Sequence, residues 1–505
     1  MRTSVTALLF VGLLLSSHAG FAAEVDGTKL LDAAQSSNTK AVRSLLAEGF
    51  DPNVQTADGT TPLLFAAHFG DIASARALLA AGGDPNLTNR YNVAPMHEAS
   101  LRADAELLRA LIDAGAKVDA ALPAGETPLM LLSRTDSPDA VKLLIARGAN
   151  PNVVESWQGQ TPLMYAAAND RGSVAAALIA AGADVNAKTP VNDLPERIHA
   201  VRYFVEIPSA GLTPVLFAAR HGAVSALRVL IDAGADVNAK TPEGFSPLIV
   251  SLDNLHYDAA KVLLDAGASP AGGALFAVVE ARNRINYVGG VQIPTGTTTP
   301  LELLAQMLSR GADVTDRLPE PLLDREPRFL PPPPKTVDWA LIRAARSADI
   351  ESMRLLVDAG ADPSRRDDKR GGINALVAVT TGPEVPPLVE TERRPTEEDA
   401  IAAIDFLLDH GVDPNMANDA GATAVHMAAL RNYDGLLKHM ATRGANLDVA
   451  DRKGFTPLDY ALGNSSPALR DRAAGVANQT TAAVLRGLGA HGRDELGKQQ
   501  RTAAR

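Results

Sequence analysis

The chain has 505 residues, no cysteine and a formal charge of −11, which excludes a disulfide-stapled scaffold and argues against nucleic acid or an anionic lipid surface as the partner. Hydrophobic residues make up 46% but aromatics only 4%, a balance that suits many small helix–helix contacts better than one thick core. Val-rich alternating runs are scarce, so an all-β fold is disfavoured.

Residues 1–22 read as a secretory signal peptide. Arg2 supplies the positive end, Ala7 to Leu15 an apolar stretch too short to span a bilayer as a helix, and Gly20-Phe21-Ala22 the small residues of a cleavage site. The expected location is periplasmic or secreted. With no cysteine at the cleavage site there is no lipid anchor, and no later apolar run is long enough for a membrane span.

From residue 28 onward a Leu-Leu-x-x-Gly pattern recurs at Gly49, Gly82, Gly115, Gly148, Gly182, Gly234, Gly267, Gly311, Gly360, Gly411, Gly444 and Gly489. Its basic spacing is 33 residues, with one of 34 and longer gaps of 44 to 52 that read as 33 plus an insertion. In phase with it runs Thr-Pro-Leu or a variant, at Thr61, Thr127, Thr161, Thr213, Ser246, Thr299 and Thr456. Thr or Ser caps a helix N-terminus through its side-chain oxygen, and Pro fits the first helical position. In the unit from Asp58 to Asn86, Thr61-Pro62 opens a helix with Leu63, Leu64, Ala66 and Ala67 on one stripe. Gly70-Asp71 breaks it, Ile72, Ala75, Leu78 and Leu79 space a second helix, and Asp84-Pro85-Asn86 turns the chain to the next unit. Gly148 and Gly234 are expected just past helix ends at positive φ.

The period, the Thr-Pro-Leu opening, the Ala-Ala pair and the Leu-Leu-x-x-Gly-Ala-Asp-x-Asn ending resemble the ankyrin repeat, most clearly over residues 45–268 and 400–460. The resemblance implies an all-α ankyrin-repeat solenoid of about eleven or twelve helix-pair units joined by short turns or hairpins. The unit Thr28–Asn53 and the helix Thr480–Leu488 read as caps. In this family a His after Thr-Pro-Leu ties neighbouring loops together. It survives as His97 and His426, which leaves those ties in doubt elsewhere.

The array reads as two blocks, residues 23–318 and 338–490, separated by a Pro-rich linker at 319–337 and followed by a flexible tail at 491–505. Further insertions are expected at 187–212, 282–298, 381–397 and 463–479. The segment 187–212 concentrates Arg202, Tyr203 and Phe204 beside Arg197 and His199, residue types that interfaces favour, and reads as a partner-binding loop; the rival is a cover for apolar surface. Tyr91 and Trp157 fall in inter-unit turns, where the family contacts partners, or else neighbouring turns pack on them. Packing is the stronger reading for Phe245 and Phe455.

Chemistry is not written in the chain. There is no phosphate loop, no nucleophile elbow and no metal spacing among ten scattered histidines. His68 and His221 read as helix-terminal residues facing carbonyls. The recurrent Asp51, Asp84, Asp184, Asp236 and Asp413 read as turn formers rather than calcium ligands. The expectation is a non-catalytic scaffold that binds another protein, with no cofactor. The alternatives are a chaperone-like partner of a secreted enzyme and an enzyme with an unrecognised site in the insertions.

Overall fold

The computed structural model describes residues 25–190, 211–242, 244–283, 296–317, 339–367, 371–381, 395–464 and 478–503. Residues 1–24 and most of each insertion lie outside them, as do Arg202, Tyr203 and Phe204. Among the described residues the secondary structure is helical, with a single isolated bridge, between Ala417 and Thr423. Helices come in pairs, from Val25–Gln35 with Thr39–Ala47 to Pro457–Ala461 with Gln479–Gly487. The twelve pairs agree with the count of terminal glycines, and this is an all-α repeat array.

Local rules account for each pair. At Thr61 the side-chain oxygen accepts the Leu64 N–H at 3.1 Å and Pro62 takes the first turn. Thr127, Thr161, Thr213, Ser246, Thr299 and Thr456 repeat the device. Asp71, Asp104 and Asp349 cap second helices in the same way. Each pair closes on its terminal glycine in the left-handed region, Gly148 at φ +97° and Gly234 at +83° among them, where a Cβ is penalised.

The chain divides into two compact units at Pro242. In the first, the first helices of six pairs stack in one row and the second helices in another. The interior between the rows is small and aliphatic: Leu63, Ala67, Leu78, Leu107, Leu111, Leu144, Leu163, Leu178 and Leu230 are buried. The second unit repeats the two rows from Pro247–Asp253 to Gln479–Gly487.

Two expectations need correcting. The Pro-rich stretch does not divide the array: helix Ala274–Asn283 packs on Ala340–Arg346, and Pro300–Ser309 on Ile350–Asp358, so the rows run on across it. Polar side chains bind the junction. The buried Asp349 carboxylate accepts from Arg282 Nε at 2.8 Å, Asn283 Nδ2 at 2.9 Å and the Ser352 hydroxyl at 2.7 Å. Arg282 also pairs with Glu351, and Arg343 with Glu280. Burial works to raise the Asp349 pKa, but the bonds from Ser352, Asn283 and Arg282 outweigh it and hold it below 3.8. At the C-terminus the tail carries a helix, Arg493–Ala503. Its approach is pinned to the last pair by His491, whose Nδ1 lies 2.9 Å from Asp448, and by Arg493 N–H, which donates to Asp459 at 2.9 Å.

Candidate functional site: the finger row

Between successive pairs the chain turns through a short hairpin, here called a finger. Five of them close through a backbone bond that spans four residues: Thr56 N–H to Thr60 O, Asn89 to Val93, Leu122 to Glu126, Asn418 to Ala422 and Asp451 to Phe455. Most have a side-chain acceptor at the opening position. Asn89 takes the N–H groups of Tyr91 and Val93 at 3.0 and 3.1 Å, Asn418 those of Ala420 and Ala422, and Asp451 those of Lys453 and Phe455. Neighbouring fingers are joined edge to edge, by Arg90 N–H to Asp58 O, Ser156 N–H to Ala124 O and Arg452 N–H to Ala420 O, at 2.8–2.9 Å. Within each unit, the described fingers joined in this way carry their tip side chains on a backbone held by its neighbours.

Tyr91 and Trp157 occupy the same place, two residues after the opening acceptor. Trp157 is 75% exposed and Tyr91 41%, so neighbouring fingers do not cover either ring. Arg90 lies over the Tyr91 ring at 4.8 Å and bonds its hydroxyl. Phe245 is buried, and Phe455 is half-buried with Arg493 above its ring; both pack.

The insertion at 187–212 leaves the array from a finger. Thr189 N–H bonds Leu212 O and Gly211 N–H bonds Thr189 O, both at 3.0 Å, the pairing that closes the ordinary fingers. Chain exit and return are thus pinned beside the Trp157 finger, whose Gly159 abuts Pro190.

The first helices add a second strip that sequence reasoning missed. Tyr165 follows Thr161-Pro-Leu-Met; Glu98 holds the matching place one pair earlier than its neighbour Leu131. Arg134 pairs with Glu126 at 2.5 Å and stacks over the Tyr165 ring at 4.5 Å, while the Tyr165 hydroxyl donates to Glu126 at 3.3 Å. Burial, then the Glu126 charge, pushes the Tyr165 hydroxyl well above its ordinary pKa. His68 meets Glu98 of the next pair at 3.0 Å instead of only facing carbonyls of its own helix. His221 does bond its own helix, at Phe217 O, 2.9 Å. The signal for the strip was the repeat position itself, once the helices were stacked.

None of these groups forms a nucleophile–base pair, and among the described residues no group of His, Asp or Glu converges as a metal site would. The recurrent Asp residues are engaged by their own backbone: Asp84 accepts from Asn86 N–H and Asp184 from Asn186 N–H, at 2.8 and 2.9 Å. The Asn that follows bridges to the next unit. Asn86 donates to Gly115 O at 3.0 Å and accepts Lys117 N–H at 2.9 Å.

His97 and His426 tie adjacent fingers. Each accepts its own helix-opening N–H at Nδ1, so the proton sits on Nε2, which donates to Ala120 O at 2.8 Å and Phe455 O at 3.1 Å. Burial holds both pKa values below 6.5, against the opposing effect of those carbonyl bonds. The family model of ankyrin repeats (3 copies) matches residues 30–121, 96–189, 196–271 and 396–470, more than half of the chain. The chain belongs to the ankyrin-repeat family. It is 27% identical over 259 residues to the ankyrin repeat domain-containing protein M-T5 of myxoma virus, covering 46% of each chain. It is 31% identical over 125 residues to cyclin-dependent kinase 4 inhibitor B of Bos taurus, covering 25% of this chain and 81% of that one. The chain thus spans about half the length of the viral relative. The human ASB11 ankyrin repeat domain superposes with a TM-score of 0.40 at 24% identity, over 48% of this chain and 99% of that one, and nothing is drawn from so low a score. Within this ankyrin array the loop ties do not depend on His. Where Met130 replaces it, Ser156 N–H still bonds Ala124 O. Where Asp459 replaces it, the carboxylate caps Thr456 N–H at 2.9 Å.

Proposed function

We propose that this ankyrin array is a non-catalytic scaffold that binds another protein through its finger row, with Trp157 and Tyr91 as contact residues and with Arg202, Tyr203 and Phe204 of the insertion 187–212 as further contacts. The observation that carries this is Trp157, a large indole exposed on a backbone fixed by its neighbours. A monomer gains nothing by such exposure, whereas aromatic anchors dominate interfaces. Ankyrin repeats mediate protein–protein binding, and a relative named as a kinase inhibitor fits binding without chemistry. A preformed edge also binds without paying to order itself. The decisive measurement is affinity for a purified partner with Trp157→Ala and with 190–211 cut to a tight turn. Losses of about tenfold or more with unchanged melting support the reading; full affinity in both variants overturns it.

The reading includes export: the pattern from Arg2 to Ala22 supports cleavage after Ala22 and work in the periplasm or outside the cell. N-terminal sequencing of the protein from its source cells tests this, and Met1 retained on the soluble product overturns it.

A further inference from the structure

The Trp157 finger is one residue longer than the five that close across four residues; it closes across five, from Glu155 N–H to Gln160 O at 3.1 Å. The additional residue is the source of the 34-residue spacing between Gly148 and Gly182. Lengthening a tight hairpin by one residue frees backbone donors at its tip, and those donors need partners. The opening position compensates. Where Asn89, Asn418 and Asp451 each gather two N–H groups, Glu155 gathers three: Trp157 at 2.5 Å, Gln158 at 2.8 Å and Gln160 at 2.9 Å. The extra methylene reaches across the extra residue, and both carboxylate oxygens are used. Glu155 is 3% exposed, so this bracing is done out of water.

We infer that Glu155 is a positioning residue, a brace that turns the lengthened finger into a fixed knob, and that the knob fits an uncharged apolar cleft on a folded protein partner. The proposal rests on the finger-row reading above and deepens it. The chemistry of the cleft follows from what surrounds the indole. From Ala120 to Gly125 on the neighbouring finger there is no charge, and from Val153 to Gln160 the one ionisable side chain is Glu155, turned inward. On these fingers Ala121, Pro123 and Val154 are exposed, as are the uncharged Ser156 beside the indole and Pro190 against Gly159. On these two fingers a charged partner surface finds no outward charge to pair with, so its desolvation there would go uncompensated; recognition by the indole itself is by burial of apolar area.

Two measurements on the full chain test this. In amide hydrogen exchange, Glu155→Gln keeps the volume but puts an NH2 where an acceptor stood, so Trp157, Gln158 and Gln160 amides should exchange about tenfold faster or more. Protection elsewhere should hold. Glu155→Asn combined with deletion of Gln158 restores the ordinary length and should restore protection, which a purely space-filling role for Glu155 would not produce. Unchanged exchange in Glu155→Gln overturns the brace. For recognition, the probe is a phage-displayed library of small folded domains with randomised apolar clefts, selected on the immobilised wild-type chain. Binders that weaken about tenfold on both Trp157→Ala and Glu155→Gln, and by less than about twofold between low and high salt, support the inference. Loss on Trp157→Ala alone overturns the brace and leaves the finger-row reading standing. Loss on neither, or no enriched binder, overturns both.

Discussion

Gly125 and Gly148 flank the same helix pair with the same backbone sign and different surroundings, which makes them a controlled pair. Gly148 has φ +97° and open space where a Cβ would stand; Gly125 has φ +87° and a Cβ there would lie 2.9 Å from Ser156 N and 3.1 Å from Glu155 Cα. Gly148→Ala therefore carries the left-handed backbone term alone, about 1 kcal/mol. Gly125→Ala carries that term plus displacement of the next finger's backbone, which cannot swing aside as a side chain would. The Ser156 N–H to Ala124 O bond, 2.9 Å long, stretches with it. Adding about 1 kcal/mol for the bond and about 1 kcal/mol for overpacking gives about 3 kcal/mol. Because stacked repeats unfold locally, the assay is hydrogen exchange resolved to the helices Pro128–Ser133 and Pro162–Ala168, not a single melting point. Equal losses of protection in the two variants would refute the claim that fingers are packed backbone to backbone.

Other consequences follow from the same bonds. His97 and His426 are kept neutral by burial, so the unfolded chain binds more protons as pH falls through 6.5. Stability should be full above that pH and decline below it, by up to about 1.4 kcal/mol per pH unit for each group; His97→Gln should flatten the slope of local stability against pH around its unit, and an unchanged slope counts against the assignment. Asn86→Ala removes both bonds to the following unit and should cost about 1–2 kcal/mol in urea-dependent exchange of helix Pro128–Ser133, and no change would mean that water replaces the bridge. Asp349→Ala removes the shared acceptor of Arg282, Asn283 and Ser352, leaving Arg282 only Glu351 and Asn283 only Val279 O, and should cost about 3 kcal/mol, read as lost protection in Ala274–Asn283; retained protection there would show the junction to be held by apolar packing alone.

The array was legible because its rules are local and repeated. Thr-Pro openings, terminal glycines and aliphatic stripes each report a single backbone state, and twelve repetitions leave little ambiguity. The Pro-rich stretch misled for a physical reason: polyproline composition describes the segment itself, not whether its ends return to the same stack. That return rests on Arg282, Asn283 and Asp349, more than sixty residues apart in sequence, and no local pattern encodes such a pairing. The tail misled similarly. Arg493–Ala503 is polar enough to read as unstructured, and its docking depends on His491 meeting Asp448. At the candidate site the exposed aromatics were visible as departures from a poor-in-aromatics background. The Glu126–Arg134–Tyr165 strip was not, since its members come together only when pairs stack.

The finger row separates what holds the fold from what is free to recognise. At the opening position the side chain is committed, because Asn89, Glu155, Asn418 and Asp451 each satisfy backbone donors that nothing else would reach. Two residues on, the backbone N–H groups of Tyr91, Trp157, Ala420 and Lys453 are bound by that acceptor while the side chain itself ranges from Ala to Trp. Aromatics at such a place are not explained by folding. The two are also not equal. Tyr91 already has a guanidinium on its face and its hydroxyl, so a partner must displace or share that contact before burying the ring. Trp157 offers more apolar area with its tip otherwise uncharged, and its brace has been lengthened to fit an added residue. Binding energy should therefore concentrate at Trp157, with Tyr91 contributing orientation two fingers away.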